Sequence, residues 1–249
     1  MQIAILLANS DSSAFAGRHP GDDIRFTAMM QAVRPGWRLS ALDVTRGHYP
    51  ADAGDYDGYI ITGSPASAND PDLWIDRLKA FIRTAARRQV PQFGACFGHQ
   101  VIAAALGGRV EQSAGGWRLG LHETPTSADA AYLANAGQPI ALYAAHKDQV
   151  TALPPGAVNL GGTDDCPIGA FALGTSVFAT QYHPEMDPAF ITALIEELAP
   201  DLPPALTARA RASLSGRADM VRFATWVARF FELATGAQGH AAGRSIAVT

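Results

Sequence analysis

A chain of 249 residues, 48% hydrophobic and 17% charged, carries enough apolar material for a substantial core, which excludes a chain disordered throughout. The formal charge of -4, with Lys and Arg scattered rather than clustered, leaves no basic footprint for a phosphate backbone, so nucleic acid is not an expected partner. The two cysteines, Cys96 and Cys166, lie far apart and lack metal-ligand spacing, which suits a reducing cytoplasm and gives no reason to expect a metal or a cofactor.

The opening run Ile3-Ala4-Ile5-Leu6-Leu7-Ala8 has no basic lead-in and is too short to span a bilayer, so it reads as a buried strand, with no export signal and no membrane partner expected. Asp11 to Asp23 is a loop rich in Ser, Gly and Pro, and Asp22 is placed to cap a helix reaching about Arg34. Leu39 to Val44 and Tyr56 to Thr62 read as strands, the second ending in Thr62-Gly63-Ser64-Pro65. Between Pro71 and Arg88 the residues Leu73, Trp74, Leu78, Phe81 and Ile82 recur at helical spacing. Val90 to Ala95 is a short strand, and Phe97 to Leu106 is an apolar helix stopped by Gly107-Gly108.

From Arg109 to Gln181 the pattern changes to short runs, Trp117 to Leu121, Ile140 to Tyr143, Ile168 to Phe171 and Val177 to Gln181, which suggest a partly antiparallel extension of the sheet. Helices return over Phe190 to Leu198, Pro203 to Leu214 and Met220 to Leu233. The apolar stripe of the last, with Phe223, Val227, Phe230 and Phe231, faces its own core or a second subunit. The expectation is an α/β fold with a mixed, mainly parallel sheet and helices on both faces. One domain covers 1–200, a helical extension 201–236 packs on it, and 237–249 is a mobile tail.

Chemistry concentrates in Gly94-Ala95-Cys96-Phe97-Gly98-His99-Gln100, where a strand becomes a helix. Such a turn lifts Cys96 clear of the sheet and demands small neighbours two residues away on each side, which Gly94 and Gly98 supply. The helix that follows aims free N–H groups and partial positive charge at the sulfur, which favours the thiolate. A buried, inert cysteine fits the same glycines, so the turn alone leaves both roles open. Cys166, after Asp164-Asp165 and with no helix start behind it, is expected to be structural, its thiol raised by the nearby carboxylates.

A reactive thiol needs a proton acceptor that later serves as donor, and His183 in Gln181-Tyr182-His183-Pro184-Glu185 meets that need. Pro184 biases His183 to extended backbone, so residues two apart project to one side and Glu185 reaches the imidazole. Read alone, His-Pro-Glu is more often a surface turn than a catalytic element. Of the other histidines, His99 points along its helix and suits packing, while His146 in Ala145-His146-Lys147-Asp148 lines the site from behind or caps a turn.

Taken together, the cysteine turn, Gly107-Gly108, Gly116-Trp117, Ala145-His146-Lys147-Asp148 and Gln181-Tyr182-His183-Pro184-Glu185 resemble class I glutamine amidotransferases, above all the glutaminase domain of GMP synthase and its stand-alone relatives. The likeness runs from Met1 to about Leu198, with Ala95 where that group more often has a larger aliphatic residue. The resemblance implies a flavodoxin-like fold and a Cys96, His183 and Glu185 triad. It also implies an oxyanion hole from the Phe97 N–H and the Gly63-Ser64 loop, and contacts to bound glutamine from Gln100, with His146 at most behind the site. Ignoring the resemblance, the Gly63 loop is an ordinary strand-to-helix turn.

Three functions follow as expectations. The first is release of ammonia from the glutamine side chain through a γ-glutamyl thioester. A separate synthetase subunit is then a conceivable partner, since the sequence shows no Walker-type loop and no room for an ATP-pyrophosphatase domain. The second is hydrolysis of γ-glutamyl peptides or conjugates by the same triad. The third is a partner-gated or regulatory subunit.

Overall fold

The computed structural model describes residues 1–126, 130–133 and 137–242, with side chains described as far as 236. In chain order it contains β1 (Gln2–Leu7), α1 (Asp22–Gln31), β2 (Arg38–Asp43), β3 (Gly58–Ile61), α2 (Leu73–Arg87), β4 (Gln92–Ala95) and α3 (Phe97–Ala105). These are followed by β5 (Arg109–Gln112), β6 (Arg118–Thr124), β7 (Ile140–His146), β8 (Asp148–Ala152), β9 (Val158–Thr163), β10 (Cys166–Leu173) and β11 (Val177–Thr180). The chain closes with α4 (Pro188–Leu198), α5 (Pro204–Ser213) and α6 (Met220–Ala242).

Seven strands form the main sheet in the order β2-β1-β3-β4-β11-β10-β9. The first five are mutually parallel, and β10 runs antiparallel to both β11 and β9. This is the flavodoxin-like arrangement, with β11 as the fifth parallel strand. The expected antiparallel extension is therefore real but smaller than the middle segment. β6 pairs with β7 and β5 with β8 in two separate two-stranded sheets.

Both faces of the main sheet are covered, as near-continuous apolar strands require. On one face Ile3, Ile5, Ile60, Phe93 and Phe178 meet Phe26 and Met30 of α1 and Phe223, Phe230 and Phe231 of α6. On the other, Leu6, Tyr59, Ile61 and Ala179 meet Ile75, Leu78 and Ile82 of α2 and Val101 and Ile102 of α3. A third cluster gathers Leu119 and Tyr143 of the β6–β7 ribbon with Ile191 and Ile195 of α4 and Ala210 of α5. The helices after Pro203 thus divide, α5 lying against β6 and α6 against the main sheet.

Three local expectations change. Gly21, not Asp22, is the N-cap of α1; Asp22 is the first helical residue and turns its carboxylate to Arg25 and Asn9. The helix also stops at Gln31, short of Arg34. The expected tail from 237 is helical as far as Ala242, where α6 ends, and 243–249 lie outside the described residues. No helix among the described residues is long and apolar enough to cross a membrane.

Candidate active site

The parallel neighbours β4 and β11 end together, Ala95 opposite Thr180, and the Cys96 N–H donates to the Thr180 carbonyl at 2.9 Å. The next residues of both segments leave the sheet at its carboxyl edge, where open α/β sheets place their sites. Three residues beyond β11 the His183 N–H donates to the Tyr143 carbonyl at 2.8 Å, which ties the histidine to β7. Gly63, just past β3, closes the group. A Cβ built there would lie 3.1 Å from His183 Cε1 and 3.9 Å from Cys96 Cβ.

Cys96 occupies φ 52° and ψ -105°, a left-handed backbone rarely taken by a side-chain-bearing residue. Such strain persists only where the surroundings enforce it. Here Gly98 packs its bare Cα against β3, since a Cβ would come 2.2 Å from the Ile61 carbonyl oxygen. Gly94 in turn packs on Gly98. The two glycines let α3 start directly on the sheet, so that the helix N-terminus, with N–H groups that lack intrahelical acceptors, points at the cysteine.

His183 and Glu185 are 5% and 4% exposed, and Nδ1 of the imidazole stands 2.7 Å from Glu185 Oε1. Burial works against a charge on the ring, yet the Glu185 carboxylate, helped by Cys96, outweighs it and holds His183 well above the ordinary histidine range. With Nδ1 engaged by the carboxylate, Nε2 is left to face the sulfur side. The segment is pinned downstream as well, because the Asp187 side chain caps α4 by accepting from the Phe190 N–H at 2.8 Å, with Pro188 in the first turn. Cys96, His183, Gly63 and Ser64 line one cavity of about 180 Å³, closed on other sides by Trp117 and Phe190.

Not every expected residue reaches this cavity. Phe97 is fully buried at the start of α3, its ring 5.6 Å from that of Trp74, and it is not among the residues that line the cavity. Gln100 lies one turn beyond Cys96, and its amide nitrogen donates to the Asp148 carbonyl at 2.8 Å. His146 approaches that same carbonyl through Nδ1 at 3.0 Å. Neither is among the cavity walls; Gln100 was expected to contact the bound glutamine, whereas His146 was expected no nearer than behind the site. Helical spacing from Cys96 sends Gln100 onto β8, and the alternation of β7 turns Ala145, not His146, to the cavity. Both meet at the Asp148 carbonyl of β8. His99 is fully buried against Phe171, ring centroids 5.0 Å apart, and burial with His146 nearby drives it down to about 3. Burial does the same at His146, also to about 3, so both rings are neutral. Burial also raises the Cys166 thiol, to about 11, with Arg118 opposing, so desolvation and not the adjacent carboxylates is the main cause.

Gln181 was not singled out from sequence, yet its amide nitrogen lies 3.8 Å from Cys96 Sγ while its oxygen accepts from Gln100 at 3.3 Å. Its signal was present. It precedes His183 by two residues in extended chain, the same alternation that brings His183 and Glu185 together. Asn9, Asp11, Asp22 and Arg25, which also line the cavity, had no local signal for that role. Among the described residues no three His, Cys, Asp or Glu side chains gather as metal ligands.

The family described as glutamine amidotransferase class-I matches residues 38–193. Gamma-glutamyl peptidase 3 of Arabidopsis thaliana is 27% identical over 79% of this chain and 82% of its own length. A glutamine-hydrolyzing GMP synthase subunit of Halobacterium salinarum is 31% identical over 55% of this chain and 70% of its own. Among solved structures, a glutamine amido transferase from Methylobacillus flagellatus superposes with a TM-score of 0.74 at 22% identity, covering 94% of each chain, which bears on the fold. With a family match over more than half the chain and the flavodoxin-like sheet, this protein belongs to the class I glutamine amidotransferase family.

Proposed function

We propose that the protein is a cysteine hydrolase of γ-glutamyl amides, with Cys96 as nucleophile, His183 as acid and base, and Glu185 as the group that orients the imidazole. The observation that carries this reading is the junction of a strained Cys96 at a helix start with a carboxylate-bonded His183 in one cavity.

The sulfur attacks the γ-carbonyl carbon of the donor, forming the S–C bond, while negative charge builds on oxygen. The backbone N–H of Phe97 and one from the Gly63-Ser64 loop receive that charge. The C–N bond then breaks as imidazolium His183 gives its proton to the departing nitrogen, leaving a γ-glutamyl thioester. Water attacks the thioester, His183 takes its proton, and glutamate leaves as the thiolate returns. With glutamine the departing group is ammonia, available to a separate synthetase subunit; with a γ-glutamyl peptide or conjugate it is a larger amine.

The second donor class is favoured by a specific finding. The likeness to a γ-glutamyl peptidase spans about four-fifths of both chains, whereas that to the GMP synthase subunit spans little more than half of this one. A chain active only beside a partner remains the alternative that an assay decides. Incubation with glutamine and with γ-glutamyl dipeptides should release glutamate, and acid quenching should trap a γ-glutamyl adduct on the Cys96 peptide by mass spectrometry. Equal release by wild type and Cys96→Ala would overturn the reading.

A further inference from the structure

Two glutamines are buried close to Cys96, Gln181 with no exposed surface and Gln100 3% exposed. A buried carboxamide is costly unless it is hydrogen-bonded, and here the bonds form a chain whose direction is set by backbone. The Asp148 carbonyl can only accept, so it faces the Gln100 nitrogen at 2.8 Å. That nitrogen also donates to the Gln181 oxygen at 3.3 Å, which leaves the Gln181 nitrogen to point at Cys96 Sγ, 3.8 Å away. Turning Gln100 round would set its oxygen against the Asp148 carbonyl, and turning Gln181 round would set nitrogen against nitrogen. Gln181 is fixed through its backbone as well, whose N–H donates to the Gly169 carbonyl of β10 at 2.8 Å.

A carboxamide does not ionise near neutral pH, so this donor differs from His183, which gives its proton to the departing nitrogen. The Gln181 N–H is present at every stage. A fixed donor favours the states with most negative charge on sulfur: the thiolate before attack, and the thiolate expelled after water has added to the thioester. In the neutral thioester between them the same contact is weaker. Holding the thiolate lowers its intrinsic nucleophilicity, but by less than it raises the ionised fraction.

We propose that Gln181, oriented by Gln100, is a catalytic residue that donates a hydrogen bond to the Cys96 thiolate and keeps the sulfur ionised for attack and for departure. This rests on Cys96 as the nucleophile of the hydrolase reading above, yet it is read on the sulfur itself, without a γ-glutamyl donor.

The test is the pH dependence of Cys96 alkylation by iodoacetamide, followed by peptide mapping, on wild type, Gln181→Met and Gln181→Glu. The charged groups around the sulfur, His183 with Glu185 and the Asp11, Asp22 and Arg25 side chains of the cavity, are the same in all three. Gln181→Met, of similar size, should raise the midpoint by about one pH unit and raise the plateau rate at high pH about threefold, because a less stabilised thiolate is the better nucleophile. Gln181→Glu sets a carboxylate beside the sulfur and should raise the midpoint further. A packing role would lower the folded fraction or the rate and leave the midpoint in place. Should the variants fail to fold, wild type decides. Its Gln181 side-chain amide signals in a proton–nitrogen correlation spectrum should move with pH at the alkylation midpoint and cease to do so once Cys96 is blocked. Midpoints within about 0.2 pH unit of wild type in folded variants, or amide signals indifferent to the charge on Cys96, overturn the role of Gln181 and leave the hydrolase reading standing. A shifted midpoint without glutamate release from any γ-glutamyl donor keeps the hydrogen bond and removes the hydrolase reading instead.

Discussion

The two cysteines of this protein sit in two regions of nearly equal burial and unlike construction. Cys96 is 5% exposed and Cys166 2%, and both are free thiols. Cys96 stands where a parallel strand turns into a helix, in left-handed backbone, beside an imidazole and on the wall of a cavity. Cys166 opens β10 in antiparallel pairing with β9, its thiol raised by burial and its sulfur 4.0 Å from the Ile168 carbonyl oxygen. What separates the two is access to a cavity and a neighbour able to take the proton, and the proposed function assigns reactivity to Cys96 on that ground.

The sharpest break of this comparison is chemical. Iodoacetamide near neutral pH should label Cys96 and spare Cys166, read by peptide mapping, and Cys96→Ala should lose hydrolysis entirely while Cys166→Ala keeps it. Labelling of Cys166 at a comparable rate would dissolve the distinction. Next in size is Glu185→Gln. Removing the carboxylate leaves burial as the leading influence on His183, so the imidazole becomes neutral at neutral pH and turnover should fall by about 10²–10⁴-fold. The sign for stability follows from the raised histidine. In wild type the charged ring contributes fully below about pH 6.5, the unfolded value, and the contribution fades as pH rises through the higher folded value. Urea midpoints taken across that range should decline with pH in wild type and flatten in Glu185→Gln. Parallel profiles would mean that Glu185 does not govern the ring.

A smaller effect tests the backbone side of the same contrast. Gly98→Ala places a Cβ against the Ile61 carbonyl oxygen, and backbone cannot swing aside as a side chain can. The variant should lose about 3 kcal/mol in chemical denaturation. Any enzyme that folds should label more slowly at Cys96, because α3 has been pushed off the sheet. Full stability in Gly98→Ala would show that the junction is less tightly packed than its geometry implies.

How much of this was legible before any fold was known follows from the range of the forces involved. β1, α2, β4 and α3 each carry their own apolar run or periodicity, and the ends of the cysteine turn are written in Gly94 and Gly98. His183 and Glu185 are two apart in extended chain, so their meeting was local too. By contrast β5, β8 and β9 are short, polar and weakly alternating, and only pairing partners define them. The Asn9, Asp22 and Arg25 wall joins Phe190 across most of the chain, and no local pattern announces such a contact. Gln100 shows the opposite case: it belongs to a recognisable motif, yet one helical turn is enough to carry it off the cavity wall.

The smallest expected change lies at the quieter cysteine, and it sharpens the comparison from the other end. If Cys166 acts as a buried small hydrophobe beneath the β9–β10 pairing, its worth is packing, and Cys166→Ser should cost about 1–2 kcal/mol through a hydroxyl that must find a partner in place of a sulfur that needs none. Cys166→Ala should cost less than the serine, since it removes bulk without adding a polar atom. Hydrolysis per folded molecule should match wild type in both, because Cys166 is not among the residues that line the Cys96 cavity. An alanine variant that is less stable than the serine, or either variant with altered turnover, would show that the Cys166 sulfur makes an interaction of its own, and the line between a reactive and an inert thiol in this fold would have to be redrawn.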